Sequence, residues 1–235
     1  MKHIDCLAFG PHPDDVELFC GGLLIKLKKQ GYSTAVVDLT RGELSTNGDV
    51  DTRLHEAEKA KQILGLDIRI NLGIPDGSLV SSLENRQEII KTVRSLRPKI
   101  CLIPYWEDRH PDHESASRLL KRAIFDSGLK KIDTGQEAFR PKSVIYYMLH
   151  HPVDPTFVID ISSQMEQKLD SINAYVSQFS SISGDGDPTY INRPEFLKSI
   201  ITRAEFLGQQ IGVSYAEGFY YQGTIKIDDL VTFFS

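Results

Sequence analysis

The sequence predicts an α/β protein with a Rossmann-like, mostly parallel sheet and flanking helices, and three observations carry that prediction. Short apolar runs alternate with amphipathic stretches through the first 150 residues. The stretches between runs are long enough for the crossover helices that parallel strands require. Polar clusters rich in histidine and carboxylate follow the apolar runs, where open α/β sheets bind their ligands.

Taken in order, IDCLAFG (4–10) reads as a buried strand, and GGLLIKLKKQGY (21–32) as a helix closed by Gly31. TAVVDLT (34–40) is a second strand. The helix DTRLHEAEKAKQILG (51–65) gathers Leu54, Ala57, Ala60, Ile63 and Leu64 on one face and stops at Gly65. IRINLG (68–73) is a third strand and LENRQEIIKTVRSLRP (83–98) a helix ended by Pro98. KICLIPY (99–105) is a fourth strand, DHESASRLLKRAIFDSG (112–128) a helix, and KSVIYYMLH (142–150) a fifth strand. Beyond it, PTFVIDIS (155–162) is strand-like, while 164–179 and 193–212 are helical. A Gly/Asp/Ser-rich loop, 180–192, separates the last two, and YAEGF (215–219) reads as a packed turn with Glu217 structural. The simplest organisation is one domain over 1–235, with a Rossmann-like core at 1–150 and a C-terminal extension at 151–235.

Hydrophobic content of 40%, charged content of 25% and a net charge of −5 are ordinary for a globular protein and argue against a general nucleic-acid binder. Cys6, Cys20 and Cys101 show no paired spacing, which suits a reducing compartment better than a disulfide framework. The apolar run before PHPDD is too short for a signal peptide and no run reaches membrane-span length, so the expected location is the cytoplasm, with no membrane partner.

Four polar clusters fall at strand ends: PHPDD after the first, RGELSTNG after the second, IPDGS after the third and EDRHPDH after the fourth. Histidine with carboxylate suits a divalent metal that accepts nitrogen and oxygen ligands. His12 and Asp15 stand three apart and can face one ion; His110 and His113 stand three apart in the second string, and one or both could complete the set. The competing structural role for Asp15 and Asp112 is a helix N-cap. A pyrophosphate-binding turn fits poorly, because the first loop lacks GxGxxG and carries two adjacent aspartates.

HPDD after the first strand and HPDH after the fourth resemble the LmbE/PIG-L family of metal-dependent N-deacetylases acting on N-acetylglucosamine derivatives. The resemblance extends through DLTRGELSTNGDVDTRLHEAEKAKQILG, PDGSL, PYWEDRHPDH, AYVSQF and YAEGF, nearly the whole chain. Within the family, LSTNG…R and EDRHPDH most resemble bacillithiol-biosynthesis deacetylases, which act on an N-acetylglucosaminyl malate. The resemblance implies an LmbE-like fold and one Zn2+ per subunit, with Fe2+ the alternative in the cell. It implies that His12, Asp15 and His113 are the metal ligands and Asp14 the general base. His110, if protonated, would stabilise the oxyanion or give a proton to the amine, and Asp112 would orient His110 or His113.

Arg53, Asp76, Glu43 and Arg109 are the expected substrate contacts, Arg109 toward malate carboxylates or else paired with Asp108 or Glu107. Phe196 stands where some relatives carry a tyrosine that reaches the oxyanion, and Tyr190 is nearby. His55, His150, His151 and Cys20 take bland structural readings. The implied partner is a small N-acetylglucosamine conjugate, and relatives of this size imply a homo-oligomer, often a hexamer. The alternatives are another N-acetylglucosaminide (a chitooligosaccharide or glycoconjugate), a thiol-conjugate amide, or a metal- or nucleotide-binding module without catalysis.

Overall fold

The computed structural model describes residues 3–179 and 187–234. Its centre is a seven-stranded sheet made of β1 (Cys6–Gly10), β2 (Thr34–Asp38), β3 (Ile68–Asn71), β4 (Ile100–Pro104), β5 (Ser143–Tyr147), β6 (Phe157–Asp160) and β7 (Ala216–Tyr220), in the order β3-β2-β1-β4-β5-β7-β6. The first five strands are parallel, β7 runs antiparallel to both β5 and β6, and the sheet is therefore mixed but mostly parallel. The chain moves outward from β1 through β2 to β3, then returns to β4 on the other side of β1. That reversal opens a crevice at the carboxyl ends of β1 and β4, the place where doubly wound sheets hold ligands.

The crossover helices are α1 (Asp15–Lys29), α2 (Val50–Leu64), α3 (Leu83–Leu96) and α4 (Pro111–Ser127); the later ones are α5 (Met165–Asn173), α6 (Val176–Phe179), α7 (Pro194–Gln210) and α8 (Leu230–Phe234). Two apolar layers hold the sheet. Val16, Phe19, Leu24, Ala60, Leu64 and Ile172 pack on one face, and Ile90, Val93, Leu119 and Ile124 pack with Leu7 and Val37 on the other. Buried on both faces, β1 and β2 have no polar-out alternation, as expected for central parallel strands.

Several elements differ from expectation. The first helix begins at Asp15, not near residue 21, because Gly21 and Gly22 lie inside it. A Cβ on Gly22 would meet Ile161 at 2.8 Å and Glu217 at 2.9 Å, so glycine serves close packing there and does not interrupt the helix. The expected helix at 164–179 is broken into α5 and α6 around Ala174 and Tyr175. The break turns Ser177 onto Glu56, with Oγ to Oε2 at 2.7 Å, and brings Gln178 to the cavity described below. YAEGF contributes β7, a strand between two others, where tertiary pairing overrides weak intrinsic preference. On α2, Leu54 is exposed, while Arg53 and Glu56 are buried in its place. Glu217 accepts the Gly22 and Leu23 N–H groups and pairs with Lys168 at 2.7 Å, pinning α1 to β7. Residues 180–186 of the expected Gly/Asp/Ser-rich loop lie outside the described residues. Among the described residues no helix is long and apolar enough to cross a membrane.

Candidate metal and catalytic site

The turn from β1 to α1 is tightly held. Leu39 N donates to Gly10 O, Thr40 Oγ1 donates to Pro11 O at 3.0 Å, and buried Tyr147 donates its hydroxyl to Phe9 O at 2.7 Å. Asp14 has φ 127°, a backbone region costly for a residue with a side chain. Such strain persists where the surroundings enforce it, and it concentrates at functional sites. Arg53 enforces it: Nη2 donates to Pro13 O at 2.5 Å and faces Asp14 Oδ2 at 3.3 Å.

The turn sets Asp15 between two imidazoles. Its Oδ2 lies 3.3 Å from His12 Nδ1, and its Oδ1 lies 3.3 Å from His113 Nε2, although the two histidines come from loops a hundred residues apart. One ligand atom from each of His12, Asp15 and His113 falls within 4.8 Å of the others, a His/His/carboxylate set of the type that holds a catalytic divalent ion. His113 Nδ1 faces Asp108 Oδ1 at 2.9 Å, which orients the ring and leaves Nε2 for the cluster, the usual support of a metal-binding histidine. The residues therefore fit a divalent metal on their donor chemistry and on this outer support.

Neither aspartate proposed as a cap acts as one. Asp15 Oδ2 accepts from His12 N at 2.9 Å, and α4 is capped by His110, whose Nδ1 accepts from Asp112 N. The Asp112 carboxylate makes no hydrogen bond to His110 or His113; Oδ2 accepts from Gly77 N at 2.9 Å and lies 3.5 Å from His12 Nε2, and one carboxylate oxygen lies within 4.8 Å of a ring nitrogen of both His12 and His110. The orienting carboxylate is Asp108, which sequence reading passed over. Its carboxylate, fully buried, accepts from His113, from His110 N and from both the backbone N and Nδ1 of His150. Its signal lay in EDRHPDH itself, five residues before His113. His150, read as bland, ends β5 beside the crevice, and the strand-end rule alone would have marked it.

Electrostatics divides the two neighbouring aspartates. Burial would raise Asp15, yet His113 and His12 outweigh it and hold the carboxyl well below its ordinary range. Burial dominates at Asp14 and pushes it up to about 7, with Arg53 pulling it partly back and Asp15 adding to the rise. Burial works against charge on His113 and His12 too, but Asp15 and Asp108 push His113 up to about 9, and Asp112, Asp15 and Asp76 hold His12 well above its usual value. His110 moves the other way, lowered by burial and by the charges of His113 and His12. The charge on which the expected role of His110 was conditional is therefore disfavoured by its surroundings. Since Nδ1 accepts a backbone hydrogen bond, the proton resides on Nε2.

A cavity of about 700 Å³ opens over this cluster, within the range of small-molecule sites. Asp14, Arg53, Asp76, Arg109, His110 and Tyr190 line it. Arg53 is 2% exposed, and its Nε and Nη1 have no hydrogen-bond partner among the described residues. Asp76 Oδ1 faces His12 Nε2 at 3.1 Å, and its Oδ2 accepts from Leu44 N. Glu43 does not line the cavity: its oxygens accept from Asp76 N and Arg41 N, bracing the loop behind Asp76. Arg109 pairs with neither Asp108 nor Glu107; its guanidinium lies 3.6 Å over the ring of Tyr190. Tyr190 also meets His150 and Phe196 edge-on.

The family model for GlcNAc-PI de-N-acetylase (PIG-L) matches residues 7–124, which span both histidine–aspartate strings. The chain belongs to this family. The diacetylchitobiose deacetylase of Thermococcus kodakarensis is 31% identical over 93% of this chain and 82% of its own length. Among solved structures, the conserved protein TT1542 from Thermus thermophilus superposes with a TM-score of 0.88 at 38% identity, covering 96% of this chain and 98% of that one. The N,N'-diacetylchitobiose deacetylase from Pyrococcus horikoshii, complexed with an inhibitor, gives 0.80 at 27% identity over 92% and 82%. The family and its named relatives make this chain an N-deacetylase.

Proposed function

We propose that the chain removes the acetyl group from an N-acetylglucosamine unit of a chitooligosaccharide, with zinc held by His12, Asp15 and His113. The observation that carries the reading is the pairing of a His/His/Asp donor set with a buried Asp14, which joins none of the candidate ligand groups, at the wall of one cavity. Two relatives, at 31% and 27% identity, are named for deacetylating diacetylchitobiose, which favours this substrate class over N-acetylglucosaminyl malate. Arg109, the residue expected to meet malate carboxylates, is stacked on Tyr190.

A divalent ion there supplies Lewis-acid polarisation of the amide carbonyl and lowers the pKa of a water to about 7. The remaining chemistry belongs to the chain. Asp14, near pKa 7, takes the proton of the attacking water as its oxygen bonds to the acetyl carbon. His110 Nε2–H donates to the developing oxyanion as a neutral group. When the C–N bond breaks, Asp14 returns its proton to the leaving amine, and acetate and the free amine depart. Arg53 sets the position and charge of Asp14 and offers its two unpartnered nitrogens, Nε and Nη1, as donors to substrate oxygens. Asp76 accepts from sugar hydroxyls at the cavity wall.

The test is acetate release from N,N'-diacetylchitobiose, N-acetylglucosaminyl malate and a thiol-conjugate amide, before and after chelator treatment and zinc reloading. The proposal expects turnover of the chitobiose that disappears on chelation and returns with zinc. Preference for the malate conjugate would move the substrate, and acetate from none of them would refute the reading.

A further inference from the structure

The AYVSQF segment (174–179) packs against α2, the helix that carries Arg53. Ser177 donates to the buried Glu56 carboxylate twice, from its backbone N and from Oγ, at 2.7 Å each. Gln178 Nε2 donates to Asn47 O at 2.7 Å and so ties in the loop that precedes α2. Tyr175 is fully buried, and the guanidinium of Arg53 lies 5.6 Å over its ring. The Tyr175 hydroxyl donates to Glu17 Oε1 at 3.1 Å. Glu17 pairs in turn with Arg69, which forks onto both carboxylate oxygens of Asp38 at 2.8 Å. The far end of the ring is therefore held by buried charged side chains from α1, β2 and β3.

Arg53 requires support of this kind. Its hydrogen bonds to Pro13 O and Asp14 Oδ2 both start from Nη2. One anchored atom fixes a point and leaves the guanidinium plane free to swing about it, while Nε and Nη1 have no partner among the described residues. The ring of Tyr175 supplies the missing constraint. A cation within about 6 Å of an aromatic centroid is drawn to the negative face of the ring, and more strongly where water is excluded.

We propose that Tyr175 is a positioning residue for the deacetylation: its ring sets the plane of the Arg53 guanidinium, and with it the direction in which Nε and Nη1 meet substrate. Glu17 keeps the ring in place through the hydroxyl. The chain beyond the first five strands thus takes part in the reaction through α2. The inference rests on the reading of Arg53 as a substrate-binding group.

The test follows acetate release from N,N'-diacetylchitobiose by the zinc-loaded full chain, with zinc content and melting temperature measured on each preparation. Tyr175→Leu is expected to lower kcat/KM about tenfold, the scale of a desolvated cation–π contact, with zinc retained. Tyr175→Phe, which keeps the ring, is expected to recover most of that loss. In an Arg53→Met background the leucine substitution should cost nothing further, because the two residues act as a unit. An equal loss in both backgrounds, or no difference between the Phe and Leu variants, would overturn the proposal and leave the reading of Arg53 standing. Full turnover by Arg53→Met alone would overturn both. If Tyr175→Leu does not fold, phenylalanines with successive ring fluorines at position 175 take its place. Activity should then fall with each fluorine where Arg53 is present and stay level in Arg53→Met. A flat series in both would overturn the proposal.

Discussion

Replacing Asp108 by Asn tests how far one carboxylate organises the site. Asp108 is completely buried as a side chain and takes hydrogen bonds from His113 Nδ1 at 2.9 Å, His150 Nδ1 at 3.0 Å, His110 N at 2.9 Å and His150 N at 2.8 Å. Its pKa lies far below the ordinary carboxylate value: burial opposes this, but the hydrogen bonds from His113, His150 and the His110 backbone outweigh it. Asparagine keeps the shape, but one of its two positions becomes an NH2 that cannot accept, and the charge that raises the basicity of His113 is gone. Loss of such outer support costs about 10- to 100-fold in metal affinity, or roughly 1.4–2.8 kcal/mol. Zinc affinity measured by competition with a chromophoric chelator should fall within that range, with the melting temperature of the zinc-loaded protein falling in parallel. An unchanged zinc affinity in a folded Asp108→Asn variant would refute the assignment of Asp108 as the group that aims His113.

Three further outcomes follow from the same geometry. Arg53→Met removes the cation that partly offsets the burial of Asp14, so the acid limb of the pH–rate profile should move to higher pH than in the unaltered chain; a limb that stays or moves down contradicts the coupling. His113 in the metal-free chain is pushed up to about 9 and His12 is held well above its usual value, so zinc uptake near neutral pH must expel protons from both; apparent affinity should rise as pH rises through that range, and isothermal calorimetry in buffers of different ionisation enthalpy should show the protons released. Gly22→Ala forces a Cβ to within 2.8 Å of Ile161 and 2.9 Å of Glu217. Overpacking of this kind costs about 1–3 kcal/mol, which lowers the melting temperature by several degrees in a thermal scan, at roughly 2–4 °C per kcal/mol for a chain of this size.

Much of this arrangement was legible in the residues. Apolar runs bounded by glycine and proline marked β1 to β5, and the convergence of strand-end loops at the switch between β1 and β4 marked His12, Asp15, His110 and His113 as candidate ligands, while the choice of His113 as the third came from the family resemblance. What was not legible depends on contacts between distant segments. Gly22 reads as a helix breaker until Ile161 and Glu217 are seen against it. Glu217 in YAEGF looks like a turn residue, yet it holds the middle of α1 from a strand nearly two hundred residues away. Asp108 and His150 lie 42 residues apart and acquire meaning only when β4 and β5 pair. Glu43 carries the right chemistry for a substrate contact, but two backbone N–H groups already occupy it. Local pattern thus located the crevice, while the assignment of neighbouring carboxylates to ligand, base, brace and orienting group required the packing.

The central claim is that Asp14 moves protons while Asp15 holds metal, and Asp14→Asn tests it most directly. Zinc content and acetate release are measured together on the same preparation. The account predicts zinc bound at one equivalent, as in the unaltered chain, with turnover reduced by about 10²- to 10⁴-fold, the usual contribution of a positioned general base. Loss of zinc from Asp14→Asn, or full turnover with zinc retained, would contradict it.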